Sequence, residues 1–342
     1  MTQFFHTSQP YITENGDTIP SPSIAFHTYG HYTEGVTPVV WICHALTANS
    51  DAADWWSGLV GAGRMYDPEK YFIVCANILG SCYGTTGPLS VNPETGKPWF
   101  RSFPYITIRD LVSMHILLRK HLNIKQVHTV IGGSIGSFQA LEWCVMEPDV
   151  VQYTVLIAGN EQVRPWTVAF NEVQRMAIET DCTYQEDSYE GGAQGLKTAR
   201  AMSMLGFRNY EAYNMTQPDT HSGKNYKPRA ATYQQYQGEK LIRRFNAYSY
   251  HVILNLMDSN NIARNRGEVA EVLKGVKARC LVVGISSDML FPPAEQKQLA
   301  AMLPHAVYNE IHSDFGHDGF LLEYKQLTEC INLFYQENKY EL

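Results

Sequence analysis

The sequence predicts an α/β fold with a mostly parallel central sheet, and three observations support this class. Short runs of apolar, β-branched residues recur without polar alternation, which is typical of strands covered on both faces. Segments with apolar residues at helical spacing lie between these runs, so strands and helices alternate. The length of 342 residues and the 44% content of hydrophobic residues allow one large domain or two smaller ones with a full core.

Five segments have the composition of buried strands. They are residues 39–43, 71–78, 127–131, 153–157 and 280–284. Residues 108–122 and 137–146 carry apolar residues at helical spacing and are predicted to be helices. The order of strand, helix and strand is typical of units in which consecutive strands run parallel.

Residues 166–274 differ from the rest of the chain in composition. They are rich in Tyr, Gln, Asn, Met and Arg and lack strong strand segments, whereas residues 171–178 and 239–257 have the pattern of helices. Strand character returns directly afterwards. We therefore predict a core domain made of residues 1–165 and 275–342, into which a helical lid domain of residues 166–274 is inserted.

Charge and composition argue against several classes of protein. The net charge is -7 and no basic tract exists, so we expect neither nucleic-acid binding nor membrane-surface binding. We see no signal peptide and no apolar run near the ~20 residues of a membrane span, which predicts a cytoplasmic protein. Seven scattered cysteines predict reduced, buried thiols, and the twelve histidines show no metal-ligand spacing, so no metal site is expected.

The strongest functional motif is the G-x-S-x-G sequence at residues 132–136, with Ser134 at its centre. An apolar strand precedes it and an apolar-periodic helix follows, which is the context that a nucleophile elbow requires. Such an elbow holds the serine on a sharp, strained turn, and the following helix N-terminus favours developing negative charge. We predict that Ser134 is a catalytic nucleophile; the alternative is a Gly-rich turn without chemistry.

A serine nucleophile needs a base, and the base needs an acid that orients it. In the α/β-hydrolase arrangement the chain order is Ser, then Asp or Glu, then His. Asp288 directly follows an apolar strand and His317 lies in a Gly-flanked loop after another strand, so we predict Asp288 as the acid and His317 as the base. His312 is an alternative base, and Asp314 or Asp318 are alternative acids.

Two backbone N–H groups are expected to bind the oxyanion of the tetrahedral intermediate. One belongs to the residue after the nucleophile, which is Ile135. The other comes from a loop after an early strand, and the loop that follows residues 39–43 fits, with Leu46 as the predicted donor. We expect His44 to shape this loop and not to act as the catalytic base.

Seven segments occur in order and span nearly the whole chain. They are HALT (44–47), ANILGSCYGTTGP (76–88), FPYITIRDLV (103–112), VIGGSIGSFQALEW (130–143), AFNEVQRMAI (169–178), SDMLFPPAEQ (287–296) and GHDGFLLE (316–323). This set resembles the homoserine O-acyltransferases of the α/β-hydrolase superfamily. The resemblance implies an α/β-hydrolase fold with a helical lid, and transfer of an acetyl group from acetyl-CoA to L-homoserine by a ping-pong mechanism in methionine synthesis. It also implies acetyl-CoA as co-substrate without a cofactor, and a homodimer formed through the lid helices.

The resemblance also implies residue roles, and it gives the predicted triad and oxyanion residues the same functions. In addition, Arg208 matches the residue that binds the homoserine carboxylate, and Asp318 matches the one that binds its amino group. Homoserine is a zwitterion, so its carboxylate needs a cation and its amino group needs an anion near the acyl-enzyme. The fork-shaped guanidinium of an arginine suits the carboxylate.

The chain departs from the family pattern near the expected acyl pocket and lid. Ala48 and Ser137 stand where the family usually has Gly, and Asn246 and Tyr248 stand where Asp and Asn are common. These four changes do not involve the predicted triad. They flank the expected acyl pocket and lid, so they bear on which substrates are bound.

The acyl donor is predicted from the charges near the oxyanion loop. A succinyl group carries a carboxylate, and burying it without a cation is costly. Residues 44–57 contain Asp51 and Asp54 but no Lys or Arg, and Arg64 is the nearest basic residue in sequence. We therefore expect acetyl-CoA, although the lid could supply an arginine. Succinyl-CoA as donor, L-serine as acceptor, and an esterase or thioesterase activity are the alternatives.

Overall fold

A computed structural model describes residues 1–219 and 227–338, with an eight-stranded sheet at its centre. In chain order the strands are β1 (Gln3–His6), β2 (Ser23–Tyr29), β3 (Val39–Cys43), β4 (Phe72–Ala76), β5 (Val127–Gly133), β6 (Val151–Ile157), β7 (Arg279–Ile285) and β8 (Ala306–Ile311). In space their order is β1-β2-β4-β3-β5-β6-β7-β8. Strands β3 to β8 are parallel, and β2 runs antiparallel to both of its neighbours. The predicted α/β class with a mostly parallel sheet is confirmed.

Ten of the α-helices in the described residues lie between strands along the chain, and the eleventh follows the last strand. They are α1 (Ala52–Trp55), α2 (Ile108–His121), α3 (Ile135–Met146), α4 (Pro165–Glu179), α5 (Ala193–Phe207), α6 (Tyr210–Thr216), α7 (Arg229–Ile242), α8 (Ala247–Asp258), α9 (Val269–Lys274), α10 (Pro293–Met302) and α11 (Tyr324–Glu337). Three short 3-10 helices are Phe100–Ser102, Cys182–Glu186 and Gly316–Leu321. Two small ribbons pair Tyr11–Ile12 with Thr18–Ile19, and Val91–Asn92 with Lys97–Pro98. Among the described residues, no helix combines the length and the apolar character needed to cross a membrane.

Alternate residues of the central strands pack on opposite faces of the sheet. In β3, Trp41 belongs to the core on the side of α2 and α3, where its ring lies 4.8 Å from that of Trp143. Its neighbours Val40 and Ile42 belong to a second core on the other face, together with Phe334 of α11. Both faces of the strand are therefore buried, which explains why its sequence shows no polar alternation.

The predicted strands and core helices agree with the structure to within two residues at every end. The prediction of one continuous helix over residues 239–257 is wrong, because α7 ends at Ile242 and α8 begins at Ala247. Asn246 is the N-cap of α8, and its side chain accepts a hydrogen bond from the N–H of Ser249 at 2.8 Å. Asparagine is among the preferred N-cap residues, so it starts a new helix here.

Helices α4 to α8 form a helical insertion between β6 and β7 in the chain. Helix α5 packs against α4, α7 and α8, and also against the 3-10 helix Gly316–Leu321 that carries His317. Because that 3-10 helix follows β8, the insertion contacts the edge where the parallel strands have their carboxyl ends. The exact bounds of a lid domain stay a prediction.

Candidate active site

Ser134 lies on a tight turn between β5 and α3. Its φ is 59° and its ψ is -127°, a conformation that residues with a side chain rarely adopt. A Cβ on Gly132 would lie 2.3 Å from the backbone of Gly136, and a Cβ on Gly136 would lie 2.2 Å from the carbonyl oxygen of Cys43. Both positions therefore require glycine, and the motif forms a strained strand-to-helix elbow.

His317 and Asp288 form a buried pair at the ends of neighbouring strands. His317 Nδ1 lies 2.6 Å from Asp288 Oδ2. The other oxygen of the same carboxylate accepts the backbone N–H groups of Leu290 and Phe291 at 2.8 and 2.9 Å. The carboxylate is thus fixed by the loop after β7, and it orients the imidazole through Nδ1.

The second nitrogen of the His317 ring is available for catalysis. It is buried and makes no hydrogen bond within the described residues. Burial alone lowers the pKa of His317, but the negative charge and hydrogen bond of Asp288 raise it, and the pKa lies above its ordinary value. Ser134 and His317 line the same cavity without a hydrogen bond between them; in unoccupied sites such bonds often tighten only when substrate binds.

The structure places two of the alternative triad residues, His312 and Asp314, outside the cavity, whereas the third, Asp318, lines it. His312 has a side chain that is 81% exposed, and the carboxylate 3.9 Å from its ring belongs to Asp314, which is also exposed. Neither residue lines the cavity that Ser134 and His317 share. Of the bases and acids considered from the sequence, His317 and Asp288 are the two that are hydrogen-bonded to each other, and His317 lines the cavity that contains Ser134.

His44 shapes the loop that follows β3. Its Nε2 accepts the N–H of Ile78 at 3.0 Å, which leaves the proton on Nδ1 to be donated to the carbonyl of Ala45 at 2.9 Å. Burial lowers the pKa of His44 to about 4, so the ring is neutral near pH 7. The N–H of Ala48 closes a turn onto Ala45 at 3.0 Å, with Leu46 inside the turn.

A second contact joins this loop to the elbow. The side-chain Nε2 of Gln139 donates to the carbonyl oxygens of His44 and Ile135, both at 3.2 Å. Leu46 lines the cavity, and Ile135 is the buried first residue of α3. The two predicted oxyanion residues thus lie on segments that one glutamine ties together, and their donor roles stay predictions.

The cavity between the core and the helical insertion has a volume of about 400 Å³. Loops at the carboxyl ends of the strands supply Ser134, His317 and the segment around Leu46. The insertion supplies Arg200, Phe207, Lys240, Arg244 and Met257. A cavity of this size lies in the range of small-molecule binding sites.

Arg208 and Asp318, the predicted substrate residues, are bound to each other. Arg208 Nε lies 2.7 Å from Asp318 Oδ2, and the guanidinium lies over the ring of Phe315 at 5.6 Å. Asp318 lines the cavity, whereas Arg208 is outside its lining. Burial raises the pKa of Asp318 above its ordinary value, although nearby arginines oppose the shift. The structure therefore brings the two residues together, but it presents the carboxylate and not the guanidinium to the cavity.

Arg200 is a cavity residue that the sequence reasoning missed. It lies on α5, seven residues before Phe207, and its guanidinium lies 5.5 Å from the centre of that ring. Burial lowers its pKa below the ordinary value, while the charge of Asp318 opposes this shift. The available signal was an arginine in the largely apolar sequence TARAMSM, because a cation in such surroundings usually serves a partner or ligand.

Residues 44–57 contain no Lys or Arg, but the helical insertion places an arginine beside the predicted oxyanion loop, which is the alternative that the sequence left open. Arg244, between α7 and α8, donates a hydrogen bond from Nη1 to the carbonyl oxygen of Thr47 at 2.6 Å. The same nitrogen donates to the hydroxyl of Tyr83, and Lys240 lines the same cavity. Because Thr47 and Arg244 are 197 residues apart, the local sequence could not reveal this contact.

The four departures from the family pattern have different surroundings. Ala48 lines the cavity. Ser137 is buried in the first turn of α3, and Asn246 caps α8. Tyr248 is buried against Tyr184, with ring centres 4.9 Å apart. Of the four, Ala48 is the residue placed to affect a bound acyl group directly.

Comparison with known proteins gives a consistent result over nearly the whole chain. The family model of the alpha/beta hydrolase fold matches residues 38–324. The homoserine O-acetyltransferase of Cyclobacterium marinum is 42% identical to this chain, and the match covers 99% of this chain and 96% of the relative. The homoserine O-acetyltransferase of Nostoc punctiforme is 40% identical, with 96% and 95% covered.

Solved structures agree with the sequence relatives. The homoserine O-acetyltransferase from Bacillus anthracis matches with a TM-score of 0.92 at 25% identity, covering 98% of this chain and 97% of that protein. Esterase E22 matches with a TM-score of 0.87 at 21% identity, covering 98% of this chain and 100% of the esterase. At that lower identity the second likeness shows a shared fold.

Proposed function

This chain belongs to the homoserine O-acetyltransferase family of α/β-hydrolase-fold enzymes, and from that premise we propose that it transfers an acetyl group from acetyl-CoA to the hydroxyl of L-homoserine. It is an acyltransferase. The observation that carries the proposal is the cavity in which an elbow serine, a buried His–Asp pair and both signs of charge meet. The proposed reaction uses acetyl-CoA as co-substrate, without metal or cofactor, and serves methionine synthesis.

The proposed mechanism has two half-reactions. Ser134 Oγ attacks the thioester carbonyl while His317 Nε2 takes the hydroxyl proton, and the N–H groups of Leu46 and Ile135 bind the oxyanion. The intermediate collapses as the C–S bond breaks, and His317 returns the proton to the departing thiolate. In the second half-reaction the homoserine hydroxyl gives its proton to His317 and attacks the acetyl carbon. Collapse then releases O-acetylhomoserine and returns the proton to Ser134.

We propose that Arg200 and Asp318 hold the zwitterionic end of homoserine. The cavity lining contains both side chains, one cationic and one anionic. The family resemblance assigns the carboxylate to Arg208, but that guanidinium is engaged by Asp318 at 2.7 Å. In the proposed arrangement Arg208 keeps the Asp318 carboxylate in place and charged, while Arg200 makes the bidentate contact to the substrate.

Exchanging each arginine for glutamine separates these roles. We expect Arg200→Gln to slow transfer from the acetyl-enzyme to homoserine by a factor equivalent to about 2–5 kcal/mol, because a buried charge pair loses one partner. Acetylation of Ser134 by acetyl-CoA should be retained. Arg208→Gln is the matched variant, and we expect it to slow transfer to homoserine less than Arg200→Gln does. The measurement is rapid-quench kinetics of each half-reaction; a larger transfer defect in Arg208→Gln would return the carboxylate role to Arg208.

The acyl donor and the acceptor are tested by steady-state kinetics with acetyl-CoA or succinyl-CoA and homoserine or serine. We expect acetyl-CoA to be preferred by at least ~100-fold in kcat/KM, equivalent to roughly 2.7 kcal/mol. Arg244 already donates to Thr47 and Tyr83, and Asp54 in the lining would repel a succinyl carboxylate, whereas Lys240 in the same lining would attract it. Comparable values for the two donors would contradict the acetyl assignment and make Arg244 the cation to examine.

An esterase or thioesterase is the second candidate, because solved esterases share this fold. A transferase must protect its acetyl-enzyme from water until the acceptor arrives, and a covering insertion can do this. The decay rate of the acetyl-enzyme, measured with and without homoserine, discriminates between the two. If the acetyl-enzyme decays at the same rate with and without homoserine, the site is that of a hydrolase.

We extend the proposal to a cytoplasmic homodimer formed through the helical insertion. Helix α4 exposes Trp166, Val173 and Met176, whose spacing puts them on one face. Clustered exposed apolar side chains mark interaction surfaces. All seven cysteines are free thiols, which is typical of a reducing compartment.

A further inference from the structure

We propose that Arg244 is a positioning residue, which holds the oxyanion loop in its working geometry from the helical insertion. The inference rests on the proposed function, because it takes the turn around Leu46 as one side of the oxyanion hole. Arg244 lies in the short segment between α7 and α8, and its Nη1 donates to the carbonyl oxygen of Thr47 at 2.6 Å. A lid arginine thus contacts the residue directly after the predicted oxyanion donor.

The other anchors of the loop belong to the core domain. His44 binds Ala45, the turn closes from Ala48 to Ala45, and Trp55 Nε1 donates to the carbonyl of Asn49 at 2.8 Å. These contacts fix both ends of the turn. The carbonyl of Thr47, in the middle of the turn, is held by the guanidinium of Arg244. Moving this carbonyl would move the turn that carries the Leu46 N–H.

The insertion places Arg244 firmly enough for this role. Its neighbour Phe245 is buried and meets the ring of Tyr83 edge-on, with centres 5.7 Å apart. Tyr83 in turn accepts a hydrogen bond from Nη1 of Arg244, and Cys82 Sγ lies 3.5 Å from the carbonyl oxygen of Arg244. The segment is therefore docked on a second core loop, and the guanidinium joins the two loops.

This arrangement predicts a distinctive kinetic pattern. Both half-reactions pass through a tetrahedral oxyanion in the same hole, so a misplaced Leu46 N–H should slow both. A residue that bound the phosphates of CoA would affect acetylation by CoA thioesters alone. A residue that bound homoserine would affect transfer alone.

The experiment compares Arg244→Gln, Arg244→Lys and Tyr83→Phe with Arg243→Gln. Arg243 is the adjacent exposed arginine and lies outside the cavity lining, so its variant is the matched control. Acetylation is measured with acetyl-CoA and with p-nitrophenyl acetate, and transfer to homoserine is measured separately. We expect Arg244→Gln to slow all three by at least about tenfold, with the KM for homoserine and the melting temperature close to those of the unmodified protein.

The companion variants sharpen the result. Arg244→Lys keeps the charge and one hydrogen bond to Thr47, so it should recover part of the rate. Tyr83→Phe should cause a smaller loss, and adding it to Arg244→Gln should cause no further loss, because both act on one contact. The control Arg243→Gln should match the unmodified protein.

Two outcomes would overturn the proposal. One is unchanged acetylation by p-nitrophenyl acetate in Arg244→Gln with slower acetylation by acetyl-CoA, which would make Arg244 a donor-binding residue. The other is unchanged rates throughout. If Arg244→Gln fails to fold, Tyr83→Phe must show the joint slowing, or the proposal fails. Because p-nitrophenyl acetate needs neither CoA nor homoserine, an unmodified protein that lacks transfer to homoserine would refute the proposed function and leave this test intact.

Discussion

Replacing Ser134 with alanine is expected to abolish acetylation of the protein by acetyl-CoA and to lower kcat by about 10³-fold or more. The elbow holds this serine at a φ of 59°, in the cavity that it shares with His317. Without the hydroxyl no acetyl-enzyme can form. The residual rate would come from binding and from the oxyanion loop alone.

Intact-mass spectrometry after incubation with acetyl-CoA and no acceptor measures this directly. The unmodified protein should gain one acetyl group, and peptide digestion should map it to Ser134. Ser137→Ala is the matched control, since Ser137 lies three residues further on and is buried in the first turn of α3. In this variant the acetyl group on Ser134 should still be detected. A label on another residue, or a sequential kinetic pattern without an acetyl-enzyme, would contradict the covalent mechanism.

Replacing Asp288 with asparagine is expected to lower kcat by about 10⁴-fold, the order found when the acid of such a triad is neutralised. The buried carboxylate lies 2.6 Å from His317 Nδ1, where it selects the tautomer and stabilises the imidazolium. An amide can do neither. The loss should therefore appear in acetylation and in transfer alike.

The same substitution should also move the pH dependence. His317 must be neutral to take the proton of Ser134, so kcat/KM rises with pH through the pKa of this histidine. Asp288 holds that pKa above the ordinary value of about 6.5, so the rise in the unmodified protein lies above that pH. Without the Asp288 charge, burial is the dominant effect on the pKa of His317, and burial lowers it. The rise of kcat/KM should therefore move to lower pH in Asp288→Asn.

A pH–rate profile of acetylation checks this shift. Asp314→Asn serves as the control, because Asp314 is exposed and lies beside His312, outside the cavity. It should leave both the rate and the profile unchanged. An unshifted profile in Asp288→Asn, or an equal loss in Asp314→Asn, would transfer the orienting role away from Asp288.

Sequence reasoning succeeded where the structural demand is local. The strands around the elbow are buried on both faces, so their apolar composition alone identifies them. Gly132 and Gly136 are required by contacts within a few residues or with the adjacent strand. Chain order and strand ends also predicted the pairing of Asp288 with His317, which the structure shows, while their catalytic roles stay predictions.

It failed where distant segments meet. Arg200 on α5 and Arg244 between α7 and α8 lie in sequences that carry no catalytic pattern, and they reach the cavity through the packing of the insertion. The break between α7 and α8 was missed because a single capping asparagine, Asn246, decides it. The pairing of Arg208 with Asp318 likewise depends on how α5 packs against the loop after β8.

The strand order has a consequence for the nascent protein. Strands β5 to β8 follow one another both along the chain and across the sheet, so the sheet grows outward at one edge as synthesis proceeds. The elbow serine emerges with β5, whereas its acid and base arrive only with the last two strands, after the entire insertion. Until those strands and the segment after β8 have been synthesised, Ser134 lacks the carboxylate and the histidine that are proposed to activate it.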